Sequence, residues 1–276
     1  MGRFHFIEIE DTAWCPQVIR DGVTDFLRFF INSTNGFAAI VPRLGAALEK
    51  TGTDRIVDLC SGGTGPWLQL ERQFADRKAG AVKVCLTDKY PNIPALTYYK
   101  KASGGMIDFY PEPVDAAGVP EHLKGFRTIF SAFHHFRPEQ ARALIRDAVR
   151  QRCGIAVVDG VCPRIYGVLL ACVSQFMLLV VTLLMRPFKL SRLFFTYLLP
   201  LIPFVLLFDG IVSALRVYTP AELEELVAEF RDDDYIFEIG TEPVGRLPFG
   251  PTYLIGYPRG AAQADSSREG RSDAVS

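Results

Sequence analysis

Apolar positions in the first fifty residues recur at helical spacing, through Val18, Ile19, Val23, Phe26, Leu27 and Phe30 and again through Ile40, Leu44 and Leu48. The polar stretch Asn32-Ser33-Thr34-Asn35-Gly36 predicts a turn between two helices. The period then shortens. Arg55–Leu59, Ala81–Asp88, Phe126–Ser131 and Gly154–Asp159 read as strands, with helical segments between them, the clearest through Ala141, Leu144, Ile145 and Val149. Strands alternating with helices predict a doubly wound α/β fold, a mostly parallel sheet covered on both faces.

The end of the chain reads differently. Thr219-Pro220-Ala221-Glu222 is a helix start, with Thr219 as N-cap, Pro220 at the first helical position and Glu222 completing a capping box. Tyr235–Ile239 and Thr252–Tyr257 read as strands with no helix between them, so they should pair antiparallel. From Gly260 to Ser276 the chain is small, polar and charged, and predicts a disordered tail. The expected organisation is an N-terminal helical cap over 1–50, a Rossmann-like half over 51–160, a hydrophobic helical insertion over 161–216, the helix and strands that complete the domain over 217–259, and the tail over 260–276.

Composition narrows the function class. With 30 basic and 31 acidic side chains among 276 residues there is no strong positive field for nucleic acid. The six cysteines, Cys15, Cys60, Cys85, Cys153, Cys162 and Cys172, form no C-x-x-C pair, and no metal-ligand cluster is expected from their spacing. The first residues carry no apolar signal core, which places the polar part of the chain in a reducing cytoplasm.

The strand ending at Asp58 runs into Leu59-Cys60-Ser61-Gly62-Gly63-Thr64-Gly65 and then a helix near Pro66 and Trp67. Glycines there let backbone approach a nucleotide beyond the carboxyl ends of the strands. A dinucleotide G-x-G-x-x-G fingerprint fails at Leu68 when read from Gly63, and at Thr64 when read from Gly62. The run instead resembles motif I of class I S-adenosylmethionine-dependent methyltransferases, with Asp58 in the acid position, Cys60 where a glycine is usual and one extra residue in the loop. The resemblance extends to Asp88, matching the acid that binds the ribose hydroxyls, to Asp115-Ala116, matching the adenine-contacting pair, and to Phe130–Phe136, similar to motif IV. It implies S-adenosyl-L-methionine as cofactor, held by Asp58, Cys60, Ser61, Gly62, Gly63, Gly65, Asp88, Asp115, Ala116 and Ser131. A nicotinamide-dependent oxidoreductase and a membrane-anchored cofactor-binding protein without catalysis are the alternatives.

Methyl transfer needs alignment above all, and a hydroxyl acceptor also needs a proton acceptor. His134 and His135 follow the third predicted strand and are the candidate bases; alternatively one of them packs against or caps the next helix. The N-terminal segment Glu8–Pro16, with Arg20 and Asp21, is a candidate lid, with Trp14 and Arg20 as substrate contacts, or else a packed helical cap.

Tyr166 to Met185 is uncharged and reaches the roughly 20 residues that cross a bilayer. Leu193–Phe208 is a second, shorter apolar run broken by Pro200 and Pro203. Three arrangements suit these runs: a transmembrane hairpin, an interfacial hairpin whose basic tip residues Arg186, Lys189 and Arg192 sit near lipid headgroups, or a soluble lid or homodimer interface. The expectation is a membrane-associated protein with its catalytic domain in the cytoplasm and a small lipophilic acceptor.

Overall fold

The structure is a computed structural model of the whole chain, and residues 3, 6–10, 12–34, 36–62, 65–75, 82–185, 188–231 and 234–260 are described. Gly63, Thr64, Ala81, Arg186 and the tail 261–276 lie outside the described residues.

Helices α1 (Gln17–Thr34) and α2 (Val41–Thr51) precede the sheet. Then follow β1 (Arg55–Asp58), α3 (Trp67–Ala75), β2 (Lys83–Leu86), α4 (Ile93–Ala102), β3 (Ile107–Phe109), β4 (Phe126–Phe130), α5 (Pro138–Arg150) and β5 (Ile155–Cys162). The apolar block forms α6 (Arg164–Val181), a short α7 (Leu190–Leu193) running into a π-helical turn at Phe194–Leu198, and α8 (Leu201–Arg216). Helix α9 (Pro220–Val227) and strands β6 (Tyr235–Thr241) and β7 (Gly250–Pro258) complete the chain.

The seven strands are ordered β3-β2-β1-β4-β5-β7-β6. All pairings from β3 to β5 are parallel, whereas β7 runs antiparallel to both β5 and β6. The predicted sheet and its antiparallel last pair are therefore present. Strand β3 was not anticipated: at three residues, Ile107-Asp108-Phe109 gives too little alternation to stand out, and it is defined by pairing with β2. Alternation along β1 sends Ile56 to one core, with Leu44, Trp67 and Phe74, and Val57 to the other, with Ile129, Leu144 and Leu226. The capping box at Thr219 forms as expected, Thr219 Oγ1 accepting from the Glu222 N–H at 3.3 Å and Glu222 Oε2 accepting from the Thr219 N–H at 2.8 Å.

Helices α6 and α8 pack antiparallel at close range. A Cβ on Gly167 would lie 3.0 Å from the Ala214 Cβ, and one on Gly210 would lie 3.1 Å from the Ala171 Cβ. Helix α1 closes the third side around Ile19, Val23, Phe26, Leu178, Ile202 and Leu206. At the far end, Asp25 of α1 accepts from Arg28 at 2.6 Å and from Lys189 and Arg192 at 2.8 Å each. Lys189 and Arg192, which one of the three arrangements sets near lipid headgroups, are paired with α1, and a guanidinium as buried as that of Arg192 needs such a counter-charge.

Candidate functional site

The parallel strands β1, β2, β4 and β5 deliver their following loops to one end of the sheet. Two polar clusters occupy that end.

The first surrounds the glycine-rich loop. Asp58 is buried, its Oδ1 accepting from Thr128 Oγ1 at 2.6 Å and its Oδ2 from Ser61 Oγ at 2.7 Å. Burial raises its carboxyl to about 6, against the opposing pull of those two hydroxyls. Both oxygens face inward, so Asp58 organises the loop. Ser61 is likewise committed: its N–H donates to the Thr87 carbonyl at 3.0 Å and its hydroxyl meets the backbone and side chain of Asp58. The backbone is left-handed at Cys60 (φ 56°), Gly62 (51°), Gly65 (46°) and, after β4, Ser131 (51°). Cys60 therefore adopts a conformation that glycine takes without strain and that a side chain disfavours. Burial, with Asp88, Asp58 and Asp115 nearby, pushes its thiol up to about 12, so it stays neutral.

Asp88 pins this loop to the end of β2. Its Oδ2 accepts from the Gly62 N–H at 2.7 Å and its Oδ1 from the Tyr90 N–H at 2.8 Å. Its carbonyl accepts from the Val114 N–H at 2.9 Å, and Lys89 lies 3.3 Å from Asp115, which brings the Asp115-Ala116 turn alongside. Asp115 is exposed, holds the Ala117 N–H at 2.9 Å, and has its carboxyl lowered by that bond; Ala116 is buried. Among the predicted cofactor residues, Asp58, Cys60, Ser61, Gly62 and Asp88 thus form one connected unit with the Asp115 turn beside it. A half-buried carboxylate whose oxygens each take one backbone N–H retains lone pairs for vicinal hydroxyls.

The second cluster lies beyond β4 and β5. His134 Nδ1 is 2.6 Å from Asp159 Oδ1, which also accepts from the Gly160 N–H at 2.9 Å. Burial pushes the Asp159 carboxyl up, but the adjoining His134 outweighs it and holds the group below the usual range. The His134 and His135 rings lie 4.4 Å apart. Facing them is Glu8, with carboxylate oxygens 3.9 Å from His134 Nε2 and 3.7 Å from His135 Nε2. Glu8 Oε1 accepts from Ser213 Oγ and Arg216 Nη1 of α8, each at 2.8 Å. Arg216 also donates to the Phe6 carbonyl, and Asp209 of α8 accepts the Ile9 and Glu10 N–H groups at 2.7 and 3.0 Å.

Spacing along the chain did not announce this cluster. The expectation of no metal-ligand group rested on that spacing, yet donor atoms of Glu8, His134 and His135 fall within 4.8 Å of one another. Arg216 supplies the positive charge on Glu8 here. Glu8, Asp159, Ser213 and Arg216 were not singled out for these roles; the one available signal was the Glu8–Asp21 polar segment. Within that segment, Arg20 donates to the Glu10 and Thr12 carbonyls at 2.9 and 2.8 Å, bracing the turns before α1, and Trp14 is 70% exposed.

No family model matches the chain, and no curated protein matches it. Several solved structures are similar in shape. The plantazolicin methyltransferase BpumL in complex with SAH is 12% identical, with 89% of this chain and 91% of that chain covered and a TM-score of 0.49. The methyltransferase domain of bacterial CtHen1 is 13% identical, covering 80% and 97%, at 0.46. Magnesium protoporphyrin IX methyltransferase (ChlM) from Synechocystis PCC 6803 with bound SAM is 11% identical, covering 82% and 81%, at 0.42.

Proposed function

We propose that the chain is an S-adenosylmethionine-dependent methyltransferase acting on a lipophilic acceptor at a membrane surface. The observation that carries the reading is the bond from the Gly62 N–H to Asp88, which couples a left-handed loop after β1 to an acid at the end of β2. That juxtaposition suits a nucleoside: backbone at Gly62 and Gly65 for close approach, the Asp88 carboxylate for ribose hydroxyls, and the Asp115-Ala116 turn for the base. Gly63, outside the described residues, belongs to the same assignment. Ser131, exposed and left-handed at the end of β4, completes the rim.

Bound there, the cofactor supplies an electrophilic methyl group. The protein's task is then to align an acceptor oxygen and keep water away. His134, oriented by Asp159, and His135 are assigned to that oxygen, with Trp14 on the covering segment. Arg20 serves the acceptor indirectly, by holding the backbone of that segment.

The acceptor class and the membrane rest on α6. Among the described residues it is the one helix long and apolar enough to cross a bilayer, with mean hydropathy 1.9 and 17% of its length buried. Ile165, Leu169, Val173, Phe176 and Val180 all face solvent. Such an apolar stripe on a soluble surface points to a lipid or protein partner. Helix α1, with Arg20, Asp21 and Arg28, lies against α8 and α7, and a full crossing would carry those charges into lipid. This favours a hairpin lying in the interface, with a homodimer through the same face as the alternative outcome. Calorimetry with S-adenosylmethionine tests the cofactor, and labelled cofactor with a membrane extract tests the acceptor. Absence of cofactor binding by the intact chain overturns the reading.

A further inference from the structure

Two buried side chains of the histidine cluster keep one polar atom each outside the hydrogen bonding. Among the described residues, the His134 ring bonds only through Nδ1, to Asp159 at 2.6 Å, and the Glu8 carboxylate only through Oε1, to Ser213 and Arg216 at 2.8 Å each. His134 Nε2 and Glu8 Oε2 are left over, on residues that are 6% and 3% exposed. Unpaired polar atoms at such burial are costly, so where they point matters. They point together. One donor atom from each of Glu8, His134 and His135 lies within 4.8 Å of the others. His135 Nε2 stands 3.7 Å from Glu8 Oε2, and His134 Nε2 stands 3.9 Å from Glu8 Oε1. Both gaps exceed hydrogen-bond reach. Ligand atoms held tetrahedrally at roughly 2.0–2.2 Å from one ion stand about 3.4 Å apart, which the two gaps exceed by only a few tenths of an ångström.

The outer groups are those that ligands of an ion need. An Asp159 carboxylate can only accept, so a neutral His134 carries its proton on Nδ1 and turns the Nε2 lone pair towards Glu8. Ser213 and Arg216 fix the Glu8 carboxylate in the same way. Arg216 Nη1 approaches His135 at its other ring nitrogen, Nδ1, at 3.5 Å. The carboxylates bonded within the cluster, Glu8 and Asp159, outnumber Arg216, the guanidinium bonded to it, so a further positive charge is accommodated.

We propose that Glu8, His134 and His135 form a binding site for a divalent transition-metal ion of the zinc class. Two imidazoles and a carboxylate select such ions over magnesium and calcium, which take oxygen ligands. Three protein ligands leave a coordination position open, the arrangement of sites that meet a substrate. The ion also ties the N-terminal segment, through Glu8, to the turn Phe133–His135 after β4. The site stands independently of methyl transfer; on the methyltransferase reading, the acceptor oxygen assigned to the histidines takes the open position.

The full chain, stripped of metal with a chelator and dialysed, is titrated with zinc, cobalt(II) and magnesium in the absence of S-adenosylmethionine. One equivalent of zinc should bind and raise the melting temperature, and cobalt should develop the visible absorption of an ion with nitrogen and oxygen ligands. Asp159→Asn should weaken zinc by about 10–100-fold through His134, and Glu8→Gln and His134→Gln by at least as much. His122→Ala, at an exposed histidine elsewhere, should leave binding unchanged. His135→Asn, at a less buried ligand, carries the comparison if His134→Gln does not fold. No zinc binding by the unmodified chain, magnesium binding as tight as zinc, or zinc affinity unaltered in the Glu8 and histidine variants overturns the proposal. S-adenosylmethionine is titrated separately, so failure of the cofactor reading is seen apart from failure of the metal site.

Discussion

The two clusters at the carboxyl end of the sheet are built in opposite ways. The loop cluster draws on Asp58, Ser61, Gly62 and Asp88, which lie within two consecutive strand–loop units and meet because β1 and β2 are paired in parallel register. The histidine cluster is closed by the N-terminal segment, joining Glu8 to Ser213 across 205 positions and to Arg216 across 208. The first is local, tied by backbone N–H groups, and partly open to solvent. The second is buried, tied by charged side chains, and depends on α8 and the N-terminal segment both being docked. Local clusters of the first kind tolerate changes elsewhere, whereas one lost charge in the second leaves its partner desolvated.

That contrast can be broken most forcefully at Arg216. Arg216→Met should cost about 3–5 kcal/mol in chemical denaturation, since Glu8 would remain buried without its cation. Cofactor affinity of the folded fraction should change little, and a comparable loss there would mean that the clusters are one site. Asp88→Ala does the reverse. It should weaken S-adenosylmethionine by about 1–3 kcal/mol in calorimetry. Unchanged affinity would remove Asp88 from the cofactor.

Phe176→Ser addresses the exposed apolar face of α6. It should lower partition onto phosphatidylglycerol vesicles by about 1.5 kcal/mol in sedimentation, with a negligible effect on melting temperature because the ring is exposed. Retained partition would assign the α6 face to a protein contact. The smallest effect concerns Asp58. Its folded pKa, raised to about 6, means that the native state binds a proton more readily than the unfolded chain. This group's destabilising contribution is therefore present above pH 6 and fades as pH falls from about 6 towards 4. Asp58→Asn should stabilise the fold by about 1 kcal/mol at pH 8 and by less at pH 5, read from melting curves at both values.

Much of the fold was legible because its signals are local. Helical and strand periods, the Thr219 capping box and the uncharged run from Tyr166 to Met185 depend on neighbours along the chain. The loop around Gly62 was legible for the same reason, and the backbone at Cys60 is left-handed, as glycine would favour. Strand β3 was not, because three residues carry almost no period and are stabilised by β2. The pairing of Lys189 and Arg192 with Asp25 was not legible either, because Asp25 is far away in sequence.

By itself, then, the sequence determined the α/β alternation, the antiparallel ending, the apolar hairpin and the acids of the loop cluster, all set by short-range pattern and backbone preference. Tertiary structure alone decided that Glu8, Arg216, Ser213 and Asp159 surround the two histidines. No periodicity encodes that meeting. It follows from where α8 and the N-terminal segment dock, and docking is settled by burial and charge compensation among residues that approach one another only when the chain is folded.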